Sequence, residues 1–426
     1  MAEAGALADD RAHVLHTWAV QSELDPIPVV GGEGSWFRDA DGRRYLDFAS
    51  QSVSLNLGHQ HPRVVAAIRE KASELCTIGP GFAEQSRSGL ARMLAEVTPG
   101  DLVRTLFVND GAEANENAIK LARWYTGRQK IVARYRSYHG ATAGALSLTG
   151  DARRWAGEPG IPGIVRILDP YEYRCPAGHP DPCPVCTGAP HLEDVLAHEN
   201  PETVAAVVLE TIAGANGVLV PPPGYLRAVR EVCDRHGILL VLDEVMAGFG
   251  RTGRWFACEH WDVVPDILTL AKGLTSGYVP LGAMVVSQRL SEWVWDHPFP
   301  SGTTTSGHPL ACAAGVASLE TMRDDRLVER AAEIGEELGA GLRRLGERHS
   351  VVGEVRGLGL LWGVELVRDR ATKEPLEAKP LAKAALARGL YLYARGNVLL
   401  VAPPLVASGA EVEQGLELLD EVLTNA

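Results

Sequence analysis

Asp266-Ile267-Leu268-Thr269-Leu270-Ala271-Lys272-Gly273 is an apolar, strand-like run that ends on a lysine and a glycine. One strand–loop–strand unit upstream, Gly237-Ile238-Leu239-Leu240-Val241-Leu242-Asp243 ends the same way on an aspartate. An ammonium at the end of a buried strand is costly unless its amine is neutral, paired or covalently bound. The chemistry that most often needs such an amine is Schiff-base formation with a carbonyl. The plain alternative is a lysine paired with a carboxylate. Neither run alternates with period two, so both read as strands buried on two faces of a parallel sheet. Open sheets of that kind bind ligands beyond the carboxyl ends of their strands, where Asp243 and Lys272 fall.

Outward from these runs the pattern is helix alternating with short apolar strand over residues 61–305. Further strand candidates are Ile131-Ala133, Val204-Glu210 and Ala283-Ser287. The fold class is α/β, a mainly parallel central sheet flanked by helices. Residues 1–60 carry turn signals at Gly31-Gly32 and Asp41-Gly42 and read as an arm plus part of a small domain. Residues 306–426 read as a smaller α+β domain. Its expected elements are a long helix from Leu310 to about Ser350 and a strand over Leu360-Leu366. A helix around Pro380-Arg388, a strand near Val398-Ala402 and a last helix over Glu411-Leu423 follow.

The 426 residues exceed one compact core, and 46% apolar composition is ordinary for a globular enzyme. A formal charge of −13 argues against nucleic acid or an anionic membrane as partner. No apolar run reaches the ~20 residues that span a bilayer. Met1 to Arg11 lacks a basic, apolar secretory pattern, so the cytoplasm is the expected location. The seven cysteines are scattered, which fits reduced thiols.

Pyridoxal phosphate is the commonest carbonyl cofactor, and a buried Asp243 would pair with its protonated pyridine nitrogen. Gly111-Ala112, at a small-residue turn opening a helix, would offer N–H groups to a phosphate. Tyr138, before His139-Gly140, could stack on a flat heteroaromatic ring. Ser301-Gly302-Thr303-Thr304-Thr305-Ser306 is a plausible second phosphate contact. Each of these has a structural alternative: a capped helix, a core tyrosine, a polar loop. Cys175-Pro176, His179, Cys183-Pro184-Val185-Cys186 and His191 form a cluster. Cys183 and Cys186 have the spacing of half a zinc site, but the other half is irregular. The expectation is a reduced, proline-rich surface excursion without metal.

Together these motifs resemble the class III pyridoxal-phosphate aminotransferases of fold type I, over nearly the whole chain. The most specific stretch is Leu240 to Gly253, Leu-Val-Leu-Asp-Glu-Val-Met-Ala-Gly-Phe-Gly-Arg-Thr-Gly, followed by Pro265-Asp266 and Ala271-Lys272-Gly273. Gly79-Pro80-Gly81-Phe82, Arg134 to Gly140 and Tyr173-Arg174-Cys175-Pro176 narrow the likeness to ω-amino-acid:pyruvate aminotransferases, the taurine and β-alanine branch.

The resemblance implies roles. Lys272 is the Schiff-base lysine and proton shuttle, Asp243 pairs with the ring nitrogen, and Tyr138 stacks on the ring with support from His139. Gly111 and Ala112 bind the phosphate with Thr304 of a neighbouring subunit, and Glu210 lies near the cofactor's hydroxyl side. It implies pyridoxal 5′-phosphate as cofactor, a homodimer with interfacial sites, an amine donor and a keto-acid acceptor such as pyruvate, and ping-pong kinetics. Four positions depart from the family. Thr305 stands where an aromatic is usual between Thr304 and Ser306, before Gly307-His308-Pro309. Thr211 stands where a proline is usual after the glutamate. Tyr393 stands where many relatives carry a mobile arginine, which leaves Arg395, Arg153 or Arg154 to hold a substrate carboxylate. Val53 stands where several have tryptophan, which implies a roomier pocket wall. A racemase, aminomutase or decarboxylase on the same cofactor stays open, as does a zinc-knuckle interaction protein.

Overall fold

The computed structural model describes residues 2–179 and 183–426. Met1 and residues 180–182, the latter inside the cysteine-rich segment, lie outside the described residues. Among those described, the central sheet has seven strands in the spatial order Leu102–Val108, Gly282–Ser287, Ile267–Leu270, Leu239–Asp243, Val204–Glu210, Lys130–Arg134, Ile164–Ile167. Gly282–Ser287 runs against both neighbours, and the other pairings are parallel. Every residue of Val204–Glu210 and Leu239–Asp243 is buried. Their unbroken apolar character thus comes from helices covering both faces.

The register matters most for function. Glu210 lies beside Asp243, and Asp243 lies beside Thr269. Three neighbouring strands therefore deliver a glutamate, an aspartate and, three residues past Thr269, Lys272 to one edge of the sheet.

Two strands of this sheet escape the sequence pattern. Leu102–Val108 carries Arg104 and Thr105, and its middle is only partly buried. The Arg104 guanidinium lies over Trp295, 4.9 Å from the ring centroid, so the charge sits on the surface side of an edge strand. Ile164–Ile167 is likewise an edge strand with an arginine in it.

Two smaller sheets complete the molecule. Val29–Glu33, Trp36–Asp39 and Arg44–Asp47 form one, joined by Leu390–Tyr391, which pairs parallel to Arg44–Asp47. The chain's two ends thus share a sheet. Val352–Leu358, Leu361–Asp369, Val398–Val401 and Tyr393–Arg395 form the other. The single helix expected from Leu310 to Ser350 is two, Pro309–Asp324 and Leu327–Arg348. The break falls in the exposed polar run Arg323-Asp324-Asp325-Arg326, where Arg326 takes a left-handed φ of 51°. The split lets the first helix bury nearly all round while the second presents one apolar face.

Candidate active site

A cavity of about 540 Å³ opens at the carboxyl edge of the central sheet. Its lining includes Gly111, Ala112, Tyr138, Glu210, Asp243 and Lys272. Lys272 follows strand Ile267–Leu270 directly and has a left-handed φ of 43°, which turns its side chain out of the strand's path. Its amine makes no hydrogen bond or ion pair among the described residues. Burial, helped by Arg153 and Arg251 and opposed by Glu210 and Asp243, lowers it to about 8. An amine poised there exchanges protons near neutral pH.

Asp243 is 4% exposed and held by three donors. Its Oδ2 accepts from Asn115 Nδ2 and from His139 Nδ1, each at 2.8 Å, and its Oδ1 accepts from the Val245 N–H at 3.0 Å. The Asn115 amide also donates to the His139 carbonyl at 2.8 Å, and Thr269 Oγ1 donates to Asn115 Oδ1 at 2.9 Å. These bonds fix the carboxylate. His139 Nε2 is buried without a partner. A buried carboxylate so held, facing an open cavity, has room for a cation.

Glu210 accepts from the Tyr138 N–H and the Gly214 N–H, both at 2.9 Å. Burial, with repulsion from Asp243, pushes its carboxyl above the usual range against the pull of His139. Thr211, in the place of the family's proline, donates its hydroxyl to Glu244 at 2.7 Å. Glu244 is buried and raised to about 7, so that hydroxyl satisfies a group a proline would leave short of a donor.

Gly111 opens the helix Gly111–Thr126, capped by the Asp110 carboxylate accepting from the Glu113 N–H at 2.8 Å. The cap takes the third N–H of the turn and leaves those of Gly111 and Ala112 facing the cavity. Gly140, at φ 137°, comes so close that a Cβ there would lie 2.3 Å from that of Ala112. A glycine is required for the Tyr138-His139-Gly140 turn to seat against the helix start.

The rim lies behind Tyr138, outside the residues that line the cavity, and is built of charges. Arg153 lies over the Tyr138 ring, 3.7 Å from its centroid, and bonds Asp151 with Nε at 3.0 Å. Arg395 Nη2 reaches the same Asp151 carboxylate at 3.6 Å. Arg154, the third candidate, turns away: it pairs with Glu158 at 2.9 Å and lines a separate cavity with Tyr135 and Arg166. Adjacent residues of a tight turn point in different directions, so Arg153 and Arg154 do not serve one site. Val53 is 3% exposed, packs in the apolar core and does not line the cavity. Thr304 is exposed and does not line the cavity of its own chain. Asn115 was not legible as a functional residue. Its place one helical turn after Gly111, on the same face, is the signal that marks it.

The class-III aminotransferase family matches residues 17–423, and the chain belongs to it. Its cofactor is pyridoxal 5′-phosphate, and its fold is that of the fold type I transaminases. An uncharacterized aminotransferase of Bacillus subtilis (strain 168), YhxA, is 38% identical, covering 94% of this chain and 92% of its own. The taurine–pyruvate aminotransferase of Bilophila wadsworthia (strain 3_1_6) is 33% identical over 99% of this chain and 97% of its own. Among solved structures, a taurine:2-oxoglutarate aminotransferase from Bifidobacterium kashiwanohense, in complex with PLP and glutamate, superposes with a TM-score of 0.96 at 40% identity, covering 99% and 97% of the two chains. An (S)-enantioselective omega-transaminase from Thermomicrobium roseum gives 0.94 at 41%, covering 99% and 98%. Among the described residues no helix is long and apolar enough to cross a membrane.

Proposed function

We propose that this aminotransferase takes its amino group from an ω-amino acid or related amine carrying an anionic end, and passes it to a small keto acid. Pyridoxal 5′-phosphate supplies an aldehyde that captures amines and a ring that accepts electrons. Lys272, at about 8, carries a proton to and from the reacting carbon. Asp243, held by Asn115 and His139, keeps the ring nitrogen protonated. Gly111 and Ala112 hold the phosphate, and Tyr138 and Glu210 line the ring's surroundings.

One observation carries the substrate reading: a single carboxylate, Asp151, lies between two guanidiniums, Arg153 and Arg395, beside Tyr138. That leaves the rim with a net positive charge, which suits the carboxylate or sulfonate of a donor or acceptor. The comparisons support the direction, since relatives act on taurine with pyruvate or 2-oxoglutarate. The enzyme works as a cytoplasmic homodimer in this reading, with Thr304 completing the partner's phosphate site. Its arm, large domain and small domain divide near residues 60 and 305, in line with the sheet shared by Arg44–Asp47 and Leu390–Tyr391.

A donor panel tests this. β-Alanine, taurine, a diamine and a plain chiral amine are each incubated with pyruvate or 2-oxoglutarate, and alanine or glutamate is measured. Anionic donors are expected to lead. Equal rates with the uncharged amine would defeat the substrate reading. Carbon dioxide release or inversion without amino transfer would point to the decarboxylase or racemase chemistry instead.

A further inference from the structure

The excursion after strand Ile164–Ile167 brings three thiols together away from the active-site cavity. The sulfurs of Cys175, Cys183 and Cys186 all lie within 4.8 Å of one another. Cys175 and Cys183 are 3.1 Å apart, and Cys186 is 3.7 Å from Cys175. Cys183 and Cys186 are buried at 1% and 0%, and Cys175 is half-buried. Cys183 and Cys186 sit on one tight turn, whose Cys183 carbonyl accepts from the N–H of Cys186 at 3.0 Å and of Thr187 at 2.9 Å. Across from it, a second turn closes from the Gly178 N–H to the Cys175 carbonyl at 3.0 Å.

We infer that this cluster is a structural zinc site, in place of the metal-free excursion expected from its irregular spacing. Two facing turns, each presenting sulfur, are how thiolate zinc sites are built. A disulfide would use two sulfurs and strand the third, whereas a tetrahedral ion uses all three. Three soft donors without a carboxylate among them select zinc over the hard divalent cations. The fourth position falls to a solvent molecule, because among the described residues only these three sulfurs group together. His191 leaves the set, since it lines the separate cavity with Tyr135 and Asp194.

The clip has something to hold. Directly before Cys175, Tyr171 and Arg174 bond the buried Glu365 of strand Leu361–Asp369. Lys373 donates to the Tyr173 carbonyl at 2.6 Å and lies over its ring at 4.4 Å. Zinc would pin the base of the segment that latches the C-terminal sheet to the central one.

Elemental analysis of the pyridoxal-phosphate-loaded enzyme, purified without chelator, tests this. The expectation is about one zinc per chain, falling to near none in Cys183→Ser and in Cys186→Ser, while the visible cofactor absorbance at Lys272 persists. Chelation is expected to lower the thermal midpoint of the unmodified enzyme and leave that of Cys183→Ser unchanged. As a check independent of variant folding, blocking the thiols of the unmodified enzyme with a mercurial should release the zinc. Iron in place of zinc, zinc undiminished in both variants, or a mass short by one hydrogen pair would overturn the proposal. So would protein that stays free of zinc when grown and purified with it.

Discussion

The floor of the active-site cavity and its rim are built on opposite principles. On the floor, Asp243, Asn115, His139, Thr269 and Glu210 are buried, and each is fixed by bonds among the central sheet, the helix Gly111–Thr126 and the loops at their ends. On the rim, Arg153, Asp151 and Arg395 are partly exposed, and Arg395 comes from a different sheet. The floor must present one charge pattern to one cofactor, so it is preorganised in a low-dielectric setting where each bond counts more. The rim must accept and release changing substrates. The Arg395–Asp151 pair, at 3.6 Å and with Arg395 in contact with water, is weak enough to exchange for a ligand.

The contrast breaks most severely at Lys272. Lys272→Ala should lower turnover by on the order of 10⁴-fold and remove the visible absorbance of the bound cofactor, read by single-turnover kinetics and spectra. Retention of both would show that the floor does not carry the chemistry. A middling effect is expected on the rim. Arg395→Ala should raise KM for carboxylate or sulfonate donors about 10- to 100-fold and leave plain amines unchanged. An equal loss for both donor types would make Arg395 a structural residue. On the floor again, Asn115→Ala should cost about 1–3 kcal/mol in denaturant unfolding, since it strips bonds from Asp243 and Thr269. No measurable cost would mean the network is not preorganised.

An effect of similar size is a pH slope in the cofactor-free enzyme. Lys272 is lowered from 10.5 to about 8 when folded. Below about 8 both states hold the proton, and the cost of burying the charge is fully present. Between about 8 and 10.5 the unfolded chain holds a proton the folded chain lacks, so stability rises with pH. Lys272→Met should flatten that rise in a denaturation series across this range.

Legibility in the sequence divides along the same line. Asp243 and Lys272 were visible because each ends an unbroken apolar run, and Glu210 was visible only through the likeness to the family. The Gly111-Ala112 turn was visible because small residues open a helix there. The reading failed where side-chain direction mattered. Arg153 and Arg154 are neighbours in sequence, yet one stacks on Tyr138 and the other pairs with Glu158. Val53 was placed in a pocket wall and lies in the core instead. Leu102–Val108 and Val352–Leu358 were missed because charged residues on half-exposed strands erase the apolar signal.

The sequence by itself determined the family, the parallel sheet and the residues at its carboxyl edge. Strand period and chain direction are local properties, and in a parallel sheet they force strand ends to one side. Only the tertiary structure decided that Asn115 steadies Asp243, that Asp151 sits between Arg153 and Arg395, and that Cys175 meets Cys183 and Cys186. Those meetings depend on the course of loops between elements, where distance along the chain carries no fixed relation to distance in space.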